Sequence, residues 1–136
     1  MKAIDPGHTY ELTELGGGTQ KIQFIKRSGD AVQYDHEHPG LQVQEVLRML
    51  IDRTKYLNAI LPCVETDEAL QHLRMALFMY EVRAYRRKQE EVNRKQPSHD
   101  DTVRPKSWTD NPYADVPFNE FEIENRPIGK DGHILL

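Results

Sequence analysis

The sequence predicts an α+β protein in which an N-terminal β-hairpin is followed by an antiparallel two-helix hairpin and an extended C-terminal tail, the whole being oligomeric. Three observations carry this. Two runs of alternating apolar and polar residues flank Gly16, Gly17 and Gly18. Two apolar stripes with steps of three and four residues flank Leu61, Pro62 and Cys63. After Gln96 periodicity gives way to prolines and scattered aromatics. The implied divisions are residues 1–40, the β-hairpin and a loop; 41–96, the helical hairpin; and 97–136, the acidic tail.

The first alternating run spans residues 8–15, with Tyr10, Leu12 and Leu15 against Glu11, Thr13 and Glu14. The second spans 19–27, with Ile22 and Phe24 on one face and Gln23 and Ile25 on the other. Alternation around a glycine turn is the signature of a β-hairpin. An isolated two-stranded hairpin is marginal in water, so this one is expected to pack on the helices or to pair with another chain. Residues 1–7 read as an entry segment ending in a Pro6, Gly7 turn, and residues 28–40 as a loop.

Val43, Leu47, Leu50, Thr54, Leu57 and Leu61 mark the first helical stripe. Pro62 ends that helix, because the residue before a proline is pushed out of helical geometry. Thr66 is the expected N-cap of the second helix, with Asp67 and Glu68 placed where the helix dipole favours anions. Leu73, Leu77, Tyr80 and Ala84 form the stripe expected to face helix one. Met75, Phe78, Met79, Val82 and Tyr85 form a second apolar surface. A bare two-helix hairpin cannot bury both, which points to the β-hairpin or another subunit as cover. In the tail, Trp108, Tyr113, Val116, Phe118, Phe121 and Ile123 are anchors rather than the composition of disorder, so a strap over the same or a neighbouring subunit is expected. The run 118–123 is compatible with both a short strand and a helical turn.

Composition narrows the function classes. The net charge is -4 and all of it sits in residues 97–136, which carry eight acidic and four basic side chains. That balance disfavours general nucleic-acid coating. With 38% apolar residues and a mean hydropathy of -0.74, the chain supports one modest core and no membrane span. A single cysteine, Cys63, excludes an intrachain disulfide and fits a reducing compartment. The start of the chain lacks the apolar core of a signal peptide.

No Ser/His/Asp set or carboxylate pair argues for an enzyme, and no cofactor motif is present. Gly16, Gly17 and Gly18 lack the Gly-Lys-Ser/Thr ending of a phosphate loop. The loop around Tyr34 contains Asp35, His36, Glu37 and His38, which are metal-ligand types, but no Cys pair or H-E-x-x-H accompanies them. A polar loop is the better account. Arg83, Arg86 and Arg87 are the notable cluster: Arg83 and Arg87, four apart, share a helical face, and paired guanidiniums suit phosphate. A solvated helix C-terminus would also favour basic residues there. Tyr56 supplies a stacking surface for a base, yet in an antiparallel hairpin it sits far from Arg83, so the two meet only across a subunit boundary.

The run His38-Pro39-Gly40, Gln44-Glu45-Val46-Leu47-Arg48-Met49-Leu50-Ile51-Asp52-Arg53, Tyr56-Leu57, Pro62-Cys63, Leu73-Arg74 and Glu81-Val82-Arg83-Ala84 resembles small bacteriophage proteins that sequester immune signals. These are the cyclic-nucleotide sponges that act against Thoeris and CBASS defence, and the opening β-hairpin is similar to the anti-Thoeris branch. The resemblance covers residues 8 to about 90 and not the tail. It implies a non-enzymatic protein of the host bacterial cytoplasm that binds cyclic ADP-ribose isomers or cyclic oligonucleotides without cleaving them. It further implies dimers or hexamers with ligand sites at subunit boundaries. In the family an aromatic stacks on the base, a polar residue near the start of the second helix hydrogen-bonds, and two arginines four apart hold phosphates; these roles fall on Tyr56, Thr66, Arg83 and Arg87. Asparagine is frequent where Thr66 stands, and phenylalanine can replace Tyr56. Threonine lacks the paired donor and acceptor of an amide, so a changed ligand preference or lost binding is expected. The rival expectation is a phage structural or interaction module that uses the hairpin for oligomerisation.

Overall fold

The computed structural model describes residues 1–28, 35–95 and 112–136, with the backbone alone described for residues 27, 28, 35–38, 94 and 95. The chain divides into two compact units, Met1–Val46 and Leu47–Leu136.

The first unit contains a three-stranded antiparallel sheet in the order β1-β2-β3, built from β1 (Lys2–Asp5), β2 (Thr9–Thr13) and β3 (Thr19–Gln23). The glycine turn forms between β2 and β3 as expected. Gly17 adopts φ 90, a left-handed conformation that a side chain would strain, and its N–H donates to the Glu14 carbonyl at 3.0 Å. The entry segment is a strand, contrary to expectation. Lys2, Ala3 and Asp5 pair with Glu11, Tyr10 and Thr9. This third strand comes from the same chain and supplies the support that a two-stranded hairpin lacks.

The second predicted strand, residues 19–27, is interrupted. Phe24 makes a parallel bridge with Leu41, whose N–H donates to the Gln23 carbonyl (2.9 Å) while its own carbonyl accepts from Ile25 N (3.1 Å). Gly40 makes this insertion possible. A Cβ there would lie 2.5 Å from the Phe24 carbonyl carbon and 2.7 Å from the Gln23 oxygen. Beyond the crossing, β4 (Lys26–Ser28) pairs with β5 (Asp35–His38), so residues 35–38 form a strand where a loop was expected. Their polar composition hides it, because no apolar alternation marks them. Tyr34 and the rest of residues 29–34 lie outside the described residues.

In the second unit α1 (Val43–Ile60), whose residues 43–46 belong to the first unit, and α2 (Val64–Lys95) run antiparallel. Arg48 faces Glu81 and Asn58 faces Asp67 across the pair. Pro62 separates them as expected, but the second helix starts earlier than Thr66. Asp67 N donates to the Cys63 carbonyl (3.1 Å), making Cys63 the cap and placing Thr66 in the first turn. Asn58 Oδ1 accepts from Cys63 N (3.3 Å), and Cys63 Sγ meets Thr66 Oγ1 at 2.9 Å.

The helical stripes are rotated from the predicted ones. On α1 the inner face is carried by Leu47 and the buried Ile51, while Leu50, Leu57 and Leu61 are exposed. On α2 it is carried by Leu70, Leu73, Leu77 and Glu81, while Tyr80 is exposed. The second apolar surface of α2 is covered by the chain's own tail. Phe78, Val82, Phe118, Ile123 and Ile134 form one core with Tyr85, Tyr113 and Val116 against it. Phe118 sits edge-on to both Phe78 (5.8 Å) and Tyr85 (6.2 Å). Only Met75 and Met79 of that surface stay open. The described tail is a series of turns, and 118–123 is a turn, with Asn119 Oδ1 accepting from Phe121 N and Glu122 N at 2.9 and 3.0 Å.

Two predictions follow from these contacts. Gly40→Ala forces a side chain against backbone atoms, and overpacking of this kind costs about 1–3 kcal/mol; chemical denaturation will register it as a loss in the first unit. Glu81→Ala leaves Arg48 facing an empty, largely buried space and is expected to destabilise the second unit by about 3–5 kcal/mol. The double variant Arg48→Met with Glu81→Leu should recover most of that loss in the same urea titration.

Candidate functional site

The site is best seen by asking where the helical cations go. Among the described residues the tail takes up most of them. Arg48 Nη2 donates to Glu81 Oε1 (2.6 Å) and its Nη1 to the Gly132 carbonyl (3.1 Å). Arg74 Nε donates to Glu124 Oε2 (2.8 Å), with Lys55 Nζ 4.0 Å from Oε1. Arg86 Nη2 donates to the Pro112 carbonyl (2.6 Å), stands 3.7 Å from Asp115 and lies over the Tyr113 ring at 5.9 Å. Lys88 Nζ donates to Asp131 Oδ2 (2.6 Å). That hydrogen bond holds the Asp131 carboxyl below its usual range, against the opposing effect of partial desolvation and with help from His133 N.

Arg53, Arg83 and Arg87 are different. All are exposed, and none has a hydrogen bond or ion pair among the described residues. Arg83 and Arg87 share a face of α2 turned away from the Leu77 and Phe78 core. Tyr56 is 58% exposed on α1, with the Arg53 guanidinium 5.7 Å from its ring centroid.

The predicted residues are thus not assembled into one place within the chain. Since Arg48 faces Glu81, Tyr56 and Arg83 are about ten residues apart along the axis, or roughly 15 Å at a rise of about 1.5 Å per residue. Thr66 lies with Tyr56 at the turn end of the hairpin. However, it shares the inner stripe with Leu70 and Leu77, and its hydroxyl is engaged by Cys63. Arg86, which the sequence groups with its neighbours, is a structural residue that fastens the tail. Two further residues escape sequence reasoning. Glu81 hides in an apolar stripe as a charged residue, and Arg53 is one of many exposed cations until the tail has claimed the others.

The sequence matches no protein-family model and no curated protein. Fold and surface together define an α+β protein with a tail-clamped helical hairpin, carrying an aromatic at one end and an arginine pair at the other. Among the described residues no helix is long and apolar enough to cross a membrane, and no cluster of His, Cys, Asp or Glu has metal-binding geometry.

The partition of the cations is testable by stability alone. Arg83→Ala and Arg87→Ala should change unfolding free energy by no more than about 0.5 kcal/mol, as for substitutions away from structural contacts. Arg86→Ala should lower it measurably, by about 1 kcal/mol for the lost carbonyl hydrogen bond. Equal effects at all three positions would refute the partition.

Proposed function

We propose that this protein is a non-enzymatic bacteriophage protein that binds and sequesters cyclic nucleotide immune signals, cyclic ADP-ribose isomers or cyclic oligonucleotides, and so blocks host defence. The observation that carries the reading is the selective freedom of Arg83 and Arg87. Every other described cation on their helix is tied to the tail, while this pair is left solvated on one face. A guanidinium pair held on a rigid helix and free of internal carboxylates suits phosphate oxygens. Tyr56, exposed and apolar-flanked, suits a base.

Their axial separation makes the site intersubunit. A twofold axis perpendicular to the hairpin sets the turn end of one copy beside the open end of another, so Tyr56 of one chain meets Arg83 and Arg87 of the next. Met49, Leu50, Tyr56, Leu57 and Ile60 give α1 an exposed apolar outer face, as a homo-oligomer of two or six chains requires. The same face favours the second reading, an interaction module whose hairpin serves oligomerisation alone.

Isothermal titration with cyclic ADP-ribose isomers and cyclic oligonucleotides separates the two, followed by denaturation and recovery of the ligand. Binding with intact ligand recovered is the expected result. Arg83→Ala and Arg87→Ala should each weaken it by about 1.5–3 kcal/mol, the range for a charged hydrogen bond. No heat with any of these ligands, together with an oligomer in light scattering, would leave the interaction module as the account.

A further inference from the structure

We infer that Arg53 is a further ligand-binding residue, and that the ligand therefore carries one phosphate beside the base stacked on Tyr56 and another at the Arg83 and Arg87 pair. This rests on the sequestration reading of the same site and deepens it: the ligand is a nucleotide with at least two phosphate groups, not a mononucleotide with one.

Three observations converge on Arg53. It is three residues from Tyr56, so both side chains leave the same side of α1, and both are exposed. That side is opposite the buried Ile51, which keeps the pair clear of the core. The guanidinium already lies 5.7 Å from the Tyr56 centroid. A cation over one ring face polarises the ring and leaves only the other face for a base. This ring contact takes up none of the hydrogen-bond donors of the guanidinium, and Arg53 has no hydrogen bond among the described residues, so its N–H groups stay available for oxygens. A base stacked on the free face carries its sugar phosphate to the ring edge, where those donors are.

The fate of the remaining cations isolates this assignment. Arg48, Lys55, Arg74, Arg86 and Lys88 are engaged by Glu81 or by tail groups. Arg53 alone on α1 keeps a whole charge without a partner among the described residues. At the far end Arg83 and Arg87 do the same. The uncommitted charge of the described helical residues is therefore split between two ends, with Tyr56 beside Arg53 at one of them and Tyr80 beside Arg83 at the other.

The test is titration of cyclic ADP-ribose and of cyclic di-AMP into the full-length protein at low and high salt, with Arg53→Ala and Arg53→Lys. Alanine is a strong helix former, so the fold survives the change and circular dichroism checks it. Arg53→Ala should weaken binding about ten- to a hundredfold, as for loss of a charged hydrogen bond. It should also flatten the salt dependence, because one fewer cation meets phosphate. Arg53→Lys should restore the salt dependence and only part of the affinity, since lysine keeps the charge but loses the planar donors. Wild-type binding with an unchanged Arg53→Ala would overturn the role of Arg53 and leave sequestration standing. A loss in Arg53→Ala that is equal at both salt concentrations would overturn a phosphate contact. Failure of the wild type to bind either probe would remove both readings.

Discussion

Everything in the second unit depends on one buried carboxylate. Glu81 is 1% exposed, at the end of a stripe whose other members are Leu70, Leu73 and Leu77. A lone carboxylate in that position would be prohibitively desolvated. It is tolerable because two other segments deliver partners to it. Arg48 comes from α1 at 2.6 Å, and Ile134 N and His133 Nδ1 come from the tail, each 3.4 Å from the second oxygen. Arg48 then reaches on to the Gly132 carbonyl. The charge is satisfied only when α1, α2 and the tail are all in place. A slip of either helix by one turn would strand it, so the network specifies register where leucines alone would accept several.

The tail's second task follows from its composition. It is the acidic part of the chain, and it spends its carboxylates on one side of the hairpin. Glu124 meets Arg74, Asp115 meets Arg86 and Asp131 meets Lys88. Most of these pairs are solvent-exposed and individually worth little. Their effect is on the distribution of charge, not on stability. Arg74, Arg86 and Lys88 are thereby neutralised, while Arg53, Arg83 and Arg87 keep their charge unpaired among the described residues. An anion approaching the hairpin therefore finds its cations at the positions where the aromatic and the arginine pair also stand.

How far this was legible depends on the element. The glycine turn, the proline break and the two helices follow from local chemistry, and all are present. The stripe phases do not. From Leu47, a step of three gives Leu50 and a step of four gives Ile51, both apolar; only packing against α2 selects Ile51. From Leu77, the same choice lies between Tyr80 and Glu81, and hydrophobicity picks the wrong one because a carboxylate is read as surface. For the cover over Phe78 and Val82 the sequence points to the β-hairpin or another subunit, since anchors separated from them by thirty or more residues leave no periodic trace. Strand β5 is invisible for a simpler reason: Asp35, His36, Glu37 and His38 have no apolar alternation to detect.

The separation of Tyr56 from Arg83 is a property of rigid elements and not of a particular side-chain arrangement. Both residues sit well inside helices whose mutual register is held at Arg48 with Glu81 and again at Asn58 with Asp67. Closing a gap of roughly 15 Å would mean sliding one helix by about ten residues at about 1.5 Å each, which breaks every pair that defines the hairpin. Rotamer changes cannot substitute, because Tyr56 faces outward on α1 while the arginines leave another face of α2. Any small ligand that engages both must therefore draw them from two chains. Met49, Leu50, Leu57 and Ile60 lie exposed beside Tyr56 itself, so if chains join through them, self-association and completion of such a site are a single event.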